Sequence, residues 1–271
     1  MKDMPDIGKI SFPEVVEQPV TWGYGRNLHQ TDRYKAIVDP NAGKLFSIVS
    51  EDYRLIRHEE AIKRIEQAIY EVPDLGEYKT YTGFYNDGGR MLRTYRFYEK
   101  VAEIEPDDYI NPEIRLFNSY DVTWPFIVTL GAFRVICENG LVVFEDFLRI
   151  RKRHVYQVDK LYLEEEISTA LERFGLQIEQ WEEWAERQLT ERTYSRVMKT
   201  MELGKRATQE IESRMEEEAE DFDDNFPIMS VWIFFNILTW YITYRAVSLN
   251  HRVNMEKRLR AAKGYLNRIS T

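Results

Sequence analysis

The chain has 271 residues, of which 44% are apolar and 31% charged, so it is long enough to bury one large core or two modest ones. Its single cysteine, Cys137, excludes an intramolecular disulfide and fits a reducing, cytoplasmic compartment. The formal net charge of −9 argues against a surface that binds polyanions over its whole area. Local basic clusters still decide whether a nucleic acid can bind.

Charge is distributed unevenly along the chain. Residues 161–224 carry 19 acidic and 8 basic side chains, whereas residues 225–271 carry 1 acidic and 7 basic side chains. The acidic run at residues 216–224 is open to two interpretations, a site that binds cations or mimics nucleic acid and a solvated connector. Such runs are usually connectors, and we expect one here.

The N-terminal half has the pattern of a sheet. Residues 1–33 contain three prolines and few periodic apolar positions, which predicts an irregular lead-in. Two strands and a helix are predicted next, at residues 34–38, 44–56 and 58–70. Further strands are predicted at residues 112–118 and 125–138.

The segment Glu77–Lys100 gives the clearest local signal. Two alternating runs flank Asn86–Gly89, which predicts a β-hairpin with unusually many tyrosines and arginines. Side chains alternate between the two faces of a strand. The prediction therefore separates two sets of residues, Arg93, Tyr95 and Phe97 on one face and Thr94, Arg96 and Tyr98 on the other.

The apolar period becomes helical after Val158. Gly175 is predicted to end a first helix, and residues 176–219 to form one or two more. Residues 226–244 carry no charge, so they are either a membrane span or a buried helix, and their polar residues favour the buried helix. Residues 245–268 have the pattern of a basic amphipathic helix.

These patterns predict an α+β fold. We expect a mainly antiparallel sheet with one packed helix at residues 34–156 and a helical region at residues 157–271 that packs on it. The order of the first elements is compatible with the small β-rich core of single-strand annealing proteins, which is an analogy of fold alone.

Short motifs occur in a characteristic order. Gly43–Tyr53 is a small residue and an apolar strand followed by Asp-Tyr, and Asn118–Thr123 reads Asn-Ser-Tyr-Asp-Val-Thr. Arg134-Val-Ile-Cys137 with Asn139 comes next, and the basic pair Arg153-His154 follows. Over roughly residues 34–250 the chain resembles the phage/plasmid-like protein family, a domain of unknown function found on phages and plasmids. The resemblance implies a mobile-element protein that acts on or near replicating or recombining DNA in the host cytoplasm.

Two groups of residues are candidates for binding single-stranded DNA. Bases stack on aromatic rings, and arginine neutralises phosphate and also stacks. The first group lies on the hairpin and consists of Tyr81, Arg90, Arg93, Tyr95, Arg96 and Tyr98. The second is a basic cluster formed by Arg149, Arg151, Lys152, Arg153 and His154. The alternative for the hairpin residues is that they are ordinary strand residues packed against a helix. The alternative for the basic cluster is that it is the solvated end of a strand or helix.

The remaining candidates point less clearly to chemistry. One interpretation is that the motif residues form a site that consists of Asn118, Asp121, Arg134, Cys137 and Asn139. The other, which we favour, is that Asn118, Asp121 and Asn139 cap turns by bonding to the backbone. Cys137 with His154 suggests a hydrolase nucleophile, but a buried structural cysteine is the better interpretation. Walker, dinucleotide-binding and zinc-ligand patterns are missing from the sequence, so no cofactor or metal is predicted.

Two functions therefore lead. The first is a non-catalytic accessory of phage or plasmid DNA metabolism that binds single-stranded DNA for annealing or protection, with a homo-oligomer as a possible state. The second is a protein-interaction factor that modulates a host or element-encoded enzyme through acidic, Trp-rich helices. A hydrolase that uses Cys137 ranks third.

Overall fold

The structure is a computed structural model that describes residues 11–73, 75–99, 101–135, 147–154, 162–219, 221–224, 226–245 and 249–268. The first strands and helix are β1 (Val16–Tyr24), β2 (Asn27–Asp39), β3 (Lys44–Ser50) and α1 (His58–Glu71). The next strands are β4 (Tyr78–Tyr85), β5 (Arg90–Phe97), β6 (Ala102–Glu105), β7 (Asp108–Ser119), β8 (Phe126–Val135) and β9 (Leu148–Lys152). The later elements are α2 (Leu163–Glu186), α3 (Glu191–Met201), α4 (Lys205–Glu218), β10 (Asp221–Asp223), β11 (Phe226–Ile228), α5 (Val231–Arg245) and α6 (Leu249–Leu266).

The described residues group into two compact units. The sheet unit falls within residues 1–101, 111–132 and 144–174, and the helical unit within residues 102–110, 133–143 and 175–271. One sheet has the strand order β1-β2-β3, and a larger one has the order β4-β5-β7-β8-β9, with β6 paired to β7. The pairs β1–β2, β2–β3, β4–β5, β5–β7, β6–β7 and β8–β9 are antiparallel, and the predicted α+β class is confirmed.

The prediction of an irregular lead-in is wrong for residues 16–33. β1 pairs with β2 in antiparallel register from Val16 opposite Val38 to Tyr24 opposite Asn27. Most side chains of this hairpin are exposed, so the sequence lacks the alternation of apolar and polar residues that marks a half-buried strand. Pro19 is tolerated because β1 is an edge strand and the register shifts beside it.

The predicted hairpin at residues 77–100 is confirmed. β4 and β5 pair in register from Tyr78 opposite Phe97 to Tyr85 opposite Arg90. The connecting loop places Asn86, Asp87 and Gly88 at φ values of 53°, 49° and 83°. Asn and Gly tolerate this left-handed region better than other residues, which is why the Asn-Asp-Gly-Gly sequence forms a tight turn.

The hairpin buries the face that carries Arg93. Tyr95 and Phe97 on this face are fully buried, as are Ile62 and Ile65 of α1. Arg93 is itself only 2% exposed, and its Nη2 donates to Glu66 Oε1 of α1 at 2.8 Å. Its other nitrogens donate to the Tyr95 hydroxyl and to Thr82 Oγ1 at 3.1 and 2.7 Å. A buried ion pair therefore joins the helix to the sheet.

The helical unit is built around aromatic side chains. Trp181 of α2 lies 5.3 Å from Trp232 of α5, and Trp184 lies 5.1 Å from Phe235, measured between ring centroids. Trp232 Nε1 donates to Asp108 Oδ2 at 2.7 Å. The tryptophans of the acidic helices are therefore core residues and do not form an exposed surface.

Two predictions about the helical region need correction. Gly175 does not end a helix, because α2 continues through it to Glu186. A glycine inside a helix costs about 1 kcal/mol, which packing of the flanking apolar residues can offset. Residues 226–244 do not form one helix, since β11 precedes α5. α5 has 15 residues, and none of the described helices is long and apolar enough to cross a membrane.

We expect Arg93→Ala to lower the free energy of unfolding by about 3–5 kcal/mol, because it leaves the Glu66 carboxylate buried without its charge partner. Urea denaturation followed by circular dichroism measures this change. Arg206→Ala is the control, since Arg206 pairs with Glu210 on α4 with a side chain that is 93% exposed. This control change should cost less than about 1 kcal/mol. Equal effects of the two substitutions would contradict the assigned role of the buried pair.

Candidate nucleic-acid interface

The outward face of β4, β5 and β7 brings aromatic and basic side chains together. We call this surface the Tyr/Arg face, and it consists of Lys79, Tyr81, Tyr85, Arg90, Leu92, Thr94, Arg96, Tyr98, Arg115 and Phe117. The registers Lys79–Arg96 and Tyr81–Thr94 between β4 and β5, and Thr94–Arg115 between β5 and β7, place these side chains on one side of the sheet.

Two tyrosines stand at the exposed edge of this face. Tyr81 is 51% exposed and Tyr98 is 37% exposed, and their hydroxyl oxygens lie 3.3 Å apart. The Arg96 guanidinium lies over the Tyr81 ring at 5.4 Å, and Lys79 Nζ lies over the Tyr98 ring at 4.7 Å. Partial burial and the neighbouring Tyr81 hydroxyl raise the pKa of Tyr98, so its hydroxyl stays protonated at neutral pH.

One buried carboxylate orients two arginines on the Tyr/Arg face. Glu113 has a side chain that is 1% exposed, and it accepts from Arg96 Nη2 at 2.8 Å and from Arg115 Nε at 2.6 Å. Glu113 thus holds two guanidinium groups at fixed positions on this face. Guanidinium N–H groups are donors that suit the geometry of phosphate oxygens.

A second aromatic group closes the other end of the face. Trp124 lies 5.8 Å from Tyr85 and 5.7 Å from Phe117, in edge-on arrangements. The Arg90 guanidinium lies 5.7 Å from the Trp124 ring, and its Nε donates to Asp121 at 2.6 Å. Arg90 is thus on the predicted face but is held by an acidic partner.

Two of the residues predicted to bind DNA lie on the wrong side of the sheet. Arg93 and Tyr95 belong to the buried face described above, where Arg93 pairs with Glu66. Burial raises the pKa of Tyr95, and it also raises the pKa of Glu66, which Arg93 opposes. The hypothesis that Arg93 and Tyr95 contact a ligand is therefore corrected. Both side chains pack between the sheet and α1, which is the alternative that the sequence left open.

The basic cluster on β9 divides in the same way. Arg149, Arg151, Lys152 and Arg153 are exposed, whereas Leu148 before them and Ile150 among them are buried. His154 is buried too, stacked on Tyr53 at 5.1 Å with its Nδ1 3.1 Å from the Tyr53 hydroxyl. Burial lowers the pKa of His154, so this histidine is a neutral structural residue and not a phosphate contact.

The Asn118 motif connects three parts of the sheet unit. Asn118 Nδ2 donates to the Ile56 carbonyl at 2.9 Å and to His58 Nδ1 at 3.0 Å. His58 Nε2 then donates to the Gly88 carbonyl in the hairpin loop at 3.0 Å. The Tyr120 hydroxyl accepts from the His58 backbone amide at the start of α1 at 2.8 Å. These contacts tie the end of β7 to α1 and to the hairpin loop.

The chemistry of this cluster keeps His58 neutral. Burial lowers the pKa of His58 to about 4. The Ile56 carbonyl fixes the orientation of the Asn118 amide, so its NH₂ group faces His58 Nδ1 and leaves no acceptor for a second imidazole proton. Asp121, at the end of the motif, accepts from Thr123, Asn86 and Arg90, and these bonds outweigh burial and lower its pKa.

The remaining motif residues lie outside what the structure describes. Cys137 and Asn139 fall in residues 136–146, and only the backbone of Arg134 is described, at the end of β8. Among the residues that are described, no group of three or more His, Cys, Asp or Glu side chains is placed to hold a metal ion.

The predicted site left out several side chains of this surface, among them Lys79, Arg115 and the neighbouring Trp124. Lys79 and Arg115 lie beside Tyr98 and Arg96 because of strand register, and Trp124 reaches the face from the turn after β7. Strict alternation along β4 and β7 would have identified Lys79 and Arg115. The position of Trp124 depends on a turn closed by Ser119, whose Oγ donates to the Trp124 carbonyl at 2.8 Å.

A family model described as a domain of unknown function, DUF932, matches residues 45–263, which is 219 of the 271 residues. The chain belongs to the DUF932 family. A comparison with curated proteins finds no match. The DUF932 match includes the Tyr/Arg face and β9, whereas β1 and β2 precede it. The family description assigns no activity, so the link to phages and plasmids stays a prediction.

We expect the stability of the protein to fall as the pH drops from about 6.5 towards 4. His58 has a folded pKa of about 4, below the ordinary value, so the unfolded chain binds a proton in this range that the folded chain does not. The contribution of His58 is fully present above pH 6.5 and amounts to about 3 kcal/mol.

The free energy of unfolding measured between pH 7 and pH 4.5 tests this dependence. His58→Gln should be less stable at pH 7 and should lose less stability on acidification than the wild type. His29→Gln, which changes an exposed histidine of β2, should follow the wild-type profile. An unchanged slope in His58→Gln would rule out His58 as the source.

Proposed function

We propose that this DUF932 protein binds single-stranded DNA through the Tyr/Arg face, as a non-catalytic accessory of DNA annealing or protection. The observation that carries the proposal is the pair of exposed tyrosines, Tyr81 and Tyr98, framed by Arg96 and Lys79 at the edge of the sheet. Exposed rings beside fixed cations on a sheet are the arrangement used by proteins that bind single strands without sequence preference.

The chemistry of the face fits a single strand better than a duplex. Unpaired bases offer flat apolar surfaces to Tyr81 and Tyr98, and each stacked base contributes about 1–3 kcal/mol. Duplex DNA keeps its bases stacked inside and offers the face only phosphates. The Arg96–Glu113–Arg115 arrangement supplies donors for those phosphates at fixed positions.

The exposed part of the β9 cluster is proposed as an additional phosphate contact. Arg151, Lys152 and Arg153 present three consecutive cationic side chains. Consecutive strand residues point to opposite sides, so these three side chains suit a flexible backbone better than a rigid groove. Their contribution should be electrostatic and sensitive to salt.

The biological setting is also a proposal. Resemblance to the phage/plasmid-like proteins suggests a mobile-element protein that works in the host cytoplasm, and DNA rather than RNA is proposed on that basis. A homo-oligomer fits annealing, since a long strand spans several copies. The alternative, a protein-interaction factor with Trp-rich helices, loses support because Trp181 and Trp184 are buried.

We expect the double variant Tyr81→Ala/Tyr98→Ala to bind a labelled single-stranded oligonucleotide more weakly than the wild type. If one stacked base is lost, the dissociation constant should rise about 5- to 150-fold. Fluorescence anisotropy at low salt measures this dissociation constant. A duplex oligonucleotide is titrated in parallel as a control.

Tyr70→Ala is the control, because Tyr70 is an exposed tyrosine on α1, outside the Tyr/Arg face. It should bind like the wild type. The proposal fails if the wild type does not bind at low salt, where electrostatic attraction is strongest. It also fails if the double variant keeps full affinity.

The triple variant Arg151→Ala/Lys152→Ala/Arg153→Ala should reduce the salt dependence of binding. For single strands, each lost phosphate contact lowers the slope of log K against log salt by about 0.7. Titrations at several salt concentrations give this slope. The control is Lys257→Ala/Arg260→Ala, two exposed cations of α6, which should leave the slope unchanged. An unchanged slope in the triple variant would exclude β9 from the interface.

A further inference from the structure

The distal part of the β1–β2 hairpin is an exposed arm. We define the arm as residues 18–31, which form the two strand ends and the turn at Gly25-Arg26. Every residue from Thr21 to Gln30 is exposed, on both faces of the hairpin. A two-stranded ribbon with no covered face contributes little to a core, so its sequence is free to serve another purpose.

One face of the arm is aromatic. The strand register pairs Trp22 with His29 and Tyr24 with Asn27, so these side chains share a face. Trp22 is 63% exposed and Tyr24 is 95% exposed. The Trp22 ring rests on the His29 ring at 5.0 Å, with an angle of 33° between the planes. This contact supports Trp22 from the neighbouring strand and leaves its other side open.

The spacing of the two residues along β1 admits a planar ligand between their side chains. Residues two apart on a strand are separated by about 6.7 Å, since the rise per residue is about 3.3–3.4 Å. Stacked bases are about 3.4 Å apart along a strand, so a base between two rings needs about twice that distance. Gly23 lies between the two residues and allows β1 and β2 to approach closely there, because a Cβ at that position would lie 1.9 Å from the Asn27 carbonyl oxygen.

The charge of the arm favours a polyanion. Acidic side chains make up 46 of the 271 residues, yet none occurs from Gln18 to Thr31. Arg26 lies in the turn itself and gives residues 18–31 a formal charge of +1, with Glu17 and Asp32 just outside them. The exposed aliphatic residue Leu28 pairs with Gly23, so it lies on the opposite face from the rings. Of the aliphatic residues of the arm, the half-buried Val20 shares the aromatic face, so the exposed part of that face from Trp22 to His29 carries no aliphatic side chain for a protein partner to bury.

We propose that Trp22 and Tyr24 form a slot that takes one base of a single-stranded nucleic acid, with Arg26 contacting the adjacent phosphate. This inference rests on the proposed function and adds to it a second contact, on an element that precedes the family match. The arm gives the protein a base-binding element separate from the Tyr/Arg face.

The test compares the wild type with variants of the full chain. Trp22→Ala/Tyr24→Ala removes the slot, Leu28→Ala is the matched control on the opposite face of the arm, and the wild type gives the reference. The probe is a labelled thymidine oligonucleotide, and anisotropy gives its dissociation constant. All three should fold alike by circular dichroism, since the substituted residues are exposed.

The expected result is a rise in the dissociation constant of about 5- to 150-fold for the double variant and no change for Leu28→Ala. Binding should also quench tryptophan emission in the wild type, and Trp22→Phe should keep most of the affinity while losing part of that quenching. Wild-type affinity in the double variant overturns the slot and leaves the proposed function standing. Failure of the wild type to bind overturns both.

An exposed aromatic arm could also bind a second copy of the chain, and a measurement of self-association distinguishes this role from base binding. Light scattering gives the mass of the wild type and of the double variant over a range of concentrations. Equal masses support the slot as the cause of any lost affinity. A wild-type oligomer that dissociates in the double variant, with the affinity lost in the same proportion, overturns it in favour of contact between two copies of the chain.

Discussion

The buried ion pair between Arg93 and Glu66 helps to decide which side of the hairpin faces the solvent. A strand has only two faces, so fixing one arginine inside places Arg96 and Tyr98 outside. A shift of one residue in register would bury those two side chains and expose Phe97. Desolvating both charges is costly, so the pair adds little net stability, whereas removing one partner leaves the other charge buried without compensation. Met91, Tyr95 and Phe97 are fully buried on the same face, so apolar burial and the ion pair together place the Tyr/Arg face outside.

The alternation of the hairpin could be read from the sequence, but the identity of the buried face could not. Met91, Tyr95 and Phe97 favour burial of the face that carries Arg93, but arginine is among the residues least often buried, so the local sequence argues both ways. The deciding partner, Glu66, lies 27 positions away on α1, and only tertiary structure brings it there. The two false members of the predicted site, Arg93 and Tyr95, follow from this single ambiguity.

Other differences between the sequence-based predictions and the structure also arise from contacts between residues far apart in the sequence. The α1 helix and the Asn86–Gly89 turn could be predicted because helical period and left-handed turn residues are local signals. β1 and the distal part of β2 escaped prediction because exposed strands bury too little to show a period. His154 belongs to a basic run in the sequence, yet stacking on Tyr53, 101 positions away, takes it out of the surface.

The Asn118 motif has a consequence for how inactive variants are interpreted. Its side chains join β7, the start of α1 and the hairpin loop, so a substitution there loosens three elements at once. In a cell, proteases remove loosened chains, and a loss of one or two kcal/mol changes abundance several-fold. A phenotype at Asn118 or Tyr120 would then report how much protein survives rather than what it recognises, and protein levels need to be measured beside any activity.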